Sequence, residues 1–524
     1  MSRKQGGGAD ADSALAALMT NAEAVRAITS AVEGTIGPKG LDTMLVDRFG
    51  EVIITNDGVT ILEKMDINHP AAKMLIHAAR AQKDEVGDGT TTATIMAGAL
   101  VSEGLTQVLR GVPVARVIEG IRFGIEEAAK QLKARAVTVD DVQADCLFDV
   151  ARIAGREYVD IAHLVVEAAR LIGRGKLKEA HFKLSDTVLA QEGAENEVFL
   201  GVIIEKERLN QDMPLAVEDA KVMVLDDALA PEELGEEALG TEAGFKRYLE
   251  LQEEFRQNIA KLVEMDIQVV LTDRAVDSAA EEAFTDAGMF VVSQVNATDL
   301  RRVAEHTGAR MVKRTALKKE KAELQRYLGK VERVYAEEKL GHIRMLGGAG
   351  KPMATILVGA ATAEVVGERE RIAKDAASSV QAAVKSGYLP GGGAAEIAVA
   401  RELERHRDRM KGMAAYGLDC VSAALKRPLA QIVDNAGFNP LEKVEEVLAA
   451  QASQSKELLG IDCESGAVAD MLQAGIMDPL EVKLHALKAA GEVAVAILRI
   501  DTIIRKRDEN GAPQQGMEEG LPDF

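Results

Sequence analysis

The chain has 524 residues, 47% of them hydrophobic and 3% aromatic, enough apolar material for more than one core and too much for general disorder. Lys plus Arg number 63 against 84 Asp plus Glu, a formal charge of −21. A surface that acidic repels phosphate backbones and anionic lipid heads, so neither nucleic acid nor membrane is expected as a partner.

The chain opens on Met-Ser-Arg-Lys-Gln-Gly-Gly-Gly, whose basic residues have no apolar core behind them, so no signal peptide is expected. From about Ala11 to Arg135 the text reads as helix. Ala24, Ile28, Ala31 and Val32 recur at helical spacing, and so do Ile95, Ala99 and Leu109. The middle changes character. Val198–Glu205, Ala220–Leu225, Ile267–Leu271 and Met289–Val292 are short β-branched or apolar runs, with helical stretches such as Asp277–Ala287 and Ala297–Thr307 between several of them. Strands alternating with helices predict an α/β unit with a covered sheet. Inside it, residues 230–265 make an unusually long connection. Tyr248, Leu251, Phe255, Ile259 and Leu262 fall there at three- and four-residue steps, an amphipathic helix that either covers its own sheet or protrudes as a flap toward neighbouring subunits. From about Gly393 to Arg507 helical spacing returns, with Ala-rich runs such as Leu487–Ile500. Pattern alone does not decide whether the two helical ends form one domain. No apolar run approaches the ~18 residues of a bilayer span. Cys146, Cys420 and Cys463 are too few and scattered for a disulfide framework or a zinc site, and a reducing cytoplasm is the expected compartment.

Three Gly-rich segments bear on chemistry. Thr35-Ile36-Gly37-Pro38-Lys39-Gly40 follows a helix that Gly37 can end in a left-handed turn and Pro38 keeps from resuming; an ordinary helix-ending turn explains it, and so does a backbone turned toward an anion. Gly87-Asp88-Gly89-Thr90-Thr91-Thr92 opens the helix running to about Leu109. A helix start offers unpaired N–H donors and partial positive charge to a phosphate. Asp88 would repel bare phosphate there, but it fits as a ligand of Mg²⁺ bridging phosphate oxygens; the plainer alternative is an N-cap. Leu389-Pro390-Gly391-Gly392-Gly393 leaves room for a flat group or serves as an interdomain elbow. Asp57, in Ile54-Thr55-Asn56-Asp57-Gly58, stands at a strand-to-turn junction. Asp375 falls at the edge of the stripe Ile372, Ala376, Val380 and Val384, with Arg371 and Ser379 one turn away on either side, a position that ordinarily reads as solvated helix face. Familiar nucleotide motifs are missing: Gly350-Lys351 resembles the end of a P-loop, but Met345 and Pro352 break it.

Together and in this order, these residues resemble the chaperonin family over nearly the whole chain, from the Gly37-Pro38-Lys39-Gly40 turn to Leu498-Arg499-Ile500-Asp501. The most specific markers are Thr55-Asn56-Asp57-Gly58, Gly87-Asp88-Gly89-Thr90-Thr91 and Pro390-Gly391-Gly392-Gly393. Pro479-Leu480-Glu481-Val482-Lys483 and the inserted 230–265 segment are similar to group II, the archaeal and eukaryotic cytosolic type, or to the related bacterial group III.

The resemblance implies a multidomain fold. An all-α equatorial ATP-binding domain would come from both chain ends (1–140 and 393–524). A small α/β intermediate hinge domain (141–205 and 361–392) would link it to an α/β apical client-binding domain (206–360) with a helical lid protrusion at about 230–265. It implies ATP and Mg²⁺ as ligands and ATP hydrolysis coupled to protein folding. Thr35, Ile36, Gly37 and Pro38 would border the nucleotide, with Asn56 and Gly58 beside it, and Asp88 would bind the metal. Gly89, Thr90, Thr91 and Thr92 would hold the phosphates, and Gly392 and Gly466 would lie by the ribose and base. Asp478 matches an acidic position, often Glu in group II, that contacts the sugar. Asp57 and Asp375 would orient and activate the attacking water. Arg156 stands where group II has a Lys near the γ-phosphate, and its planar fork is not equivalent to an ammonium. The implied assembly is a homo-oligomer of two stacked rings, eight subunits per ring favoured, that closes around non-native client proteins without a separate co-chaperonin cap. The tail from Gly511 to Phe524 lacks the Gly-Gly-Met repeats of group I and is expected to be disordered within the cavity. Two rivals use the same phosphate-binding residues: a small-molecule ATP-dependent enzyme such as a kinase, for which no acceptor cluster is visible, and a non-hydrolysing assembly scaffold, against which Asp57, Asp88 and Asp375 argue.

Overall fold

Residues that pack at helical spacing near the N-terminus do form helices in the computed structural model, which describes residues 7–46, 50, 52–232, 235, 241–410, 412–454 and 456–502. The expected disorder of the Gly511–Phe524 tail, and part of the 230–265 segment, lie outside the described residues. Helix α1 (Gly7–Val32) leads to a hairpin of β1 (Thr43–Val46) and β2 (Val52–Thr55), paired antiparallel with Thr43 opposite Thr55. Then come α2 (Gly58–Lys64), α3 (Pro70–Val86), α4 (Thr90–Leu109) and α5 (Val114–Arg135). Small residues let these helices approach closely. A Cβ on Gly98 of α4 would lie 2.3 Å from Thr29 Oγ1 of α1. Leu109, expected on the apolar stripe, is the last residue of α4 and has 54% of its surface exposed.

The middle begins with α6 (Cys146–Ala154) and α7 (Val159–Ile172) and continues into one eight-stranded sheet. Its elements are β3 (Val188–Glu192), β4 (Glu197–Ile204), β5 (Ala216–Leu225), α8 (Glu242–Glu264), β6 (Val269–Thr272), α9 (Ser278–Asp286), β7 (Phe290–Val292), α10 (Ala297–Thr307), β8 (Gly329–Glu337), β9 (His342–Gly348) and β10 (Ala354–Ala360). The strand order is β3-β10-β4-β9-β8-β5-β6-β7. β5, β6 and β7 run parallel, with a helix making each crossover that a parallel pair needs. Side chains alternate across this part of the sheet. Val222, Val224, Val269 and Leu271 join one apolar cluster, while Met223, Leu225 and Val270 join another beneath α8, the period of two that a strand imposes. Of the predicted stripe on α8, Leu251, Phe255, Ile259 and Leu262 are buried, whereas Tyr248 and its neighbours Phe245 and Leu249 are exposed. The second half of the helix therefore covers the sheet, one of the two readings expected of it.

Helix α11 (Ala363–Ser386) returns the chain to the helical layer, followed by β11 (Tyr388–Pro390), α12 (Ala394–Arg407), α13 (Ala415–Asn435), α14 (Pro440–Gln454), β12 (Leu459–Ile461), β13 (Val468–Asp470), β14 (Met477–Pro479) and α15 (Leu480–Leu498). Residues from Leu18 to Leu132 and from Leu389 to Leu498 share one apolar cluster, so the two helical ends form one unit, with short hairpins on it. A second cluster runs from Val139 through the sheet to Ile372, Ala376, Val380 and Val384 of α11. α11 is thus packed into the central unit along one face and lies against the helical unit along its other.

Candidate functional site

Gly87 and Gly89 bracket Asp88 with φ of 87° and 81°. A Cβ on Gly87 would meet Ser378 Oγ at 2.4 Å, and one on Gly89 would meet Val482 Cγ1 at 2.6 Å. Conformation and contact therefore both demand glycine. Helix α4, 20 residues long, starts on Gly89 without a side-chain cap, and its first backbone bond runs from Ala93 N to Gly89 O at 3.0 Å. The N–H groups of Thr90, Thr91 and Thr92 have no helical acceptor, at the positive end of a long helix dipole, which suits an anion. Segments far apart in the chain line this start. Thr35 Oγ1 is 3.4 Å from Thr91 Oγ1, and a Cβ on Gly58 would lie 2.6 Å from that same Thr91 oxygen.

The acids gather beside it. Asp57 caps α2 and accepts from Thr60 N at 3.3 Å, Thr60 Oγ1 at 2.7 Å and Lys83 Nζ at 2.6 Å. Burial works to raise its pKa, but Lys83 and these donors outweigh it and hold the carboxyl below the usual range. Asp88 accepts from Gly89 N at 2.6 Å and from Ser379 Oγ of α11 at 3.0 Å. Burial pushes its pKa up, the Gly89 N–H opposes, and the nearby Asp478 carboxylate adds to the rise. A half-buried carboxylate bonded only to neutral donors is a good partner for a hard cation. Among the described residues no three His, Cys, Asp or Glu side chains gather closely enough to hold a metal. Asp88 would then be a single carboxylate ligand, the manner in which Mg²⁺ is ordinarily held together with phosphate oxygens and water.

Asp375 is no solvated helix face. Its side chain is only 18% exposed and pairs with Arg371 Nη1 at 2.8 Å. Burial pushes its pKa up to about 8; Arg371 opposes this, and Asp88 and Asp57 add to it. Asp375 therefore senses Asp57 and Asp88 although it lies 318 positions after Asp57 (375 − 57). Arg156 and Glu157 both have positive φ, 52° and 65°, in the turn after α6. The Arg156 guanidinium donates to Asn56 O at 3.4 Å. Burial and the neighbouring Arg371 lower its pKa while Asp375, Glu368 and Asp88 raise it, so it faces the same group of acids.

The outer rim comes from both chain ends. Gly37 has φ 87°, and Asn435 Nδ2 ties its neighbourhood down by donating to Glu33 O and Ile36 O, each at 2.9 Å. Pro38 is exposed in that turn. Lys39 Nζ pairs with Glu464, which brings the turn containing Gly466 (φ 71°) beside it. Gly392 has φ 60°, and a Cβ there would find only ordinary contact, Met471 Sδ at 3.5 Å, so space is open above it. Asp478 lies opposite Leu389 on the β11–β14 ladder and pairs with Lys483 Nζ at 2.8 Å. Buried Lys483 also donates to both oxygens of Glu396, at 2.7 and 2.9 Å.

Sequence reasoning missed Lys83, Arg371, Ser379 and Lys483 as partners. Arg371 and Ser379 were visible at one turn either side of Asp375, but their partners Asn56 and Asp88 lie some 300 residues away, and nothing local signals them. Helical spacing on α3 gives Lys83 no more than an ordinary cation near a helix end.

The TCP-1/cpn60 chaperonin family matches residues 28–508. The chain belongs to that family. It is 34% identical over 512 residues to a thermosome subunit of Methanopyrus kandleri, covering 93% of this chain and 92% of that one, and 34% identical over 529 residues to a thermosome subunit beta of Archaeoglobus fulgidus, covering 96% and 95%. A crystal structure of a group III chaperonin in the open state superposes with a TM-score of 0.85 at 46% identity, over 93% of this chain and 99% of that one. This chaperonin is thus of the group II/III branch, an ATP-hydrolysing subunit of an oligomeric ring that takes up client proteins. No helix among its described residues is long and apolar enough to cross a membrane.

Proposed function

We propose that this chaperonin subunit binds ATP with Mg²⁺ at the start of α4 and hydrolyses it with Asp57 and Asp375, one on each side of the junction between the helical unit and α11. The observation that supports this is the convergence of Asp57, Asp88 and Asp375 on one region beside an uncapped helix start. Thr90, Thr91 and Thr92 would bind the phosphates through their N–H groups, with Thr35, Ile36, Gly37, Pro38, Asn56 and Gly58 around them. Gly392, Gly466 and Asp478 would border the ribose and base, and Arg156 would contact the γ-phosphate. Mg²⁺, held by Asp88, would neutralise charge on the phosphate oxygens when bound. Asp57, kept ionised by Lys83, orients the water by hydrogen bonding. Asp375, with a pKa near the working range, accepts the water's proton. Positioning and charge supply most of the rate in phosphoryl transfer, and two carboxylates from different units fit that demand.

Because Asp375 rides on α11, hydrolysis is tied to how that helix sits on the helical unit. The division into equatorial (1–140, 393–524), intermediate (141–205, 361–392) and apical (206–360) domains, two stacked rings of eight, a built-in lid at 230–265 that replaces a separate cap, and a cytoplasmic location complete the reading. Asp375→Ala tests it: nucleotide binding, followed with a fluorescent ATP analogue, stays, while phosphate release falls by about 10²–10⁴-fold. Loss of binding in that variant would refute the assigned role.

A further inference from the structure

The bond that fixes Asp375 also crosses between units. Arg371 Nη1 donates to Asp375 Oδ2 at 2.8 Å, Nη2 donates to Asn56 Oδ1 at 3.0 Å, and Nε donates to Glu368 Oε2 at 2.9 Å. Its side chain is 13% exposed, and the guanidinium is engaged by three residues, so its place is set by directional geometry rather than by loose attraction. Asn56 directly precedes Asp57 in the chain, and Asp57 is held by its cap and by Lys83. One planar group therefore spans from the carboxylate of α11 to the residue next to the other carboxylate.

Resting on the hydrolysis reading above, we propose that Arg371 is a positioning residue for ATP hydrolysis: it ties Asp375 to the Asn56–Asp57 loop and so sets the separation of the two carboxylates. The groups facing Asp375 are Arg371 on its own helix, Asp57 before α2, Lys83 on α3 and Asp88 before α4, with Arg156 after α6. Of the cations among them, Arg371 is the one bonded to Asp375 directly. Burial works against its charge, yet Glu368, Asp375 and Asp57 keep it firmly protonated. A residue that only stabilised the junction would need either contact alone. The role assigned here needs both at once, which a lysine, a single point of charge on a flexible stem, cannot supply in the same plane. Misplacing a reacting group by an ångström costs about a hundredfold in rate.

The test uses the full-length assembled protein, with particle size and melting checked for each variant. Arg371→Ala is expected to lower kcat by about 10–100-fold while leaving KM for ATP and the affinity for a fluorescent ADP analogue within about twofold, the signature of an interaction needed for the chemical step. Guanidinium ion added to Arg371→Ala restores part of the turnover, and Arg371→Lys falls between the two. Asn56→Ala lowers kcat less, and adding it to Arg371→Ala costs nothing more. Unchanged kcat in Arg371→Ala, a loss of ADP affinity in step with kcat, or additive effects of the two substitutions overturns the proposal. If Arg371→Ala does not assemble, Arg371→Lys decides by the same split between kcat and KM. Asp375→Asn is measured alongside. An inactive Asp375→Asn with a fully active Arg371→Ala defeats only the positioning role, whereas an active Asp375→Asn defeats the hydrolysis reading beneath it.

Discussion

Beneath α8, Met223, Leu225, Val270 and Val291 of the sheet pack with Phe255, Ile259 and Leu262, all contributed by residues 213 to 324 of the chain. At the junction of α11 with the helical unit, Asp57, Lys83, Asp88, Arg156, Arg371 and Asp375 meet from five separate stretches. The first region is apolar and assembled from neighbours in sequence; its stability comes from area removed from water. The second is charged and assembled from strangers in sequence, and each of its bonds adds little net stability. What it gains instead is control over which carboxylates are ionised. Stability and chemistry are thus written in different residues, and substitutions should separate them.

The largest effect is expected from the apolar side. Phe255 is 6% exposed within the cluster under α8, and Phe255→Ala should cost about 3–5 kcal/mol through lost transfer energy and the cavity left behind. Hydrogen exchange along α8 and denaturant melts would show it. ATP turnover, measured below the melting range, should stay unchanged. A matching fall in turnover would mean that the two regions are not separable in this way.

Much of the apolar region was legible beforehand, and the reason is physical. Short β-branched or apolar runs point to strands at Val198–Glu205 and Ala220–Leu225, and they form as Glu197–Ile204 and Ala216–Leu225. The helix predicted over Ala297–Thr307 has those same bounds. Glycine pairs and the acid between them were legible too, because a helix start has local chemistry: Gly87, Asp88 and Gly89 lie where that chemistry puts them. The ties of Lys83 to Asp57 and of Arg371 to Asn56 were not legible, since a cation on a helix reads as solvated until its distant partner is known. The union of the two chain ends in one core escaped pattern for the same reason.

A middle-sized effect sharpens the charged side. Removing Lys83 leaves Asp57 with burial, which raises its pKa, and without the ammonium that lowers it. In the native protein the depressed carboxyl contributes stability that is full above its unfolded value and is lost only as pH falls through the lower folded one. In Lys83→Met the depression goes with the ammonium, so this contribution is already smaller at neutral pH. The stability cost should be about 2 kcal/mol, less than for a fully buried pair, because Lys83 is 34% exposed. The acid limb of the pH–turnover profile should move upward, a change that Phe255→Ala does not produce. An unmoved limb would show that Asp57 need not be ionised for hydrolysis.

The smallest effect returns to the central unit. Asn296 caps α10, its Oδ1 accepting from Thr298 N at 3.1 Å and Asp299 N at 2.9 Å. Asn296→Ala leaves those two donors to water and should cost about 1 kcal/mol. The loss is local: α10 rests on the sheet through Leu300, Val303 and Ala304, all buried, and those contacts remain. The melting temperature of the central unit should drop slightly, with the pH–turnover profile and kcat unmoved. Should kcat fall instead, the helix would have to be transmitting its state to α11 through the apolar cluster that Leu300 and Val303 share with Ile372 and Ala376. The central sheet would then be part of the catalytic cycle rather than a passive neighbour of it.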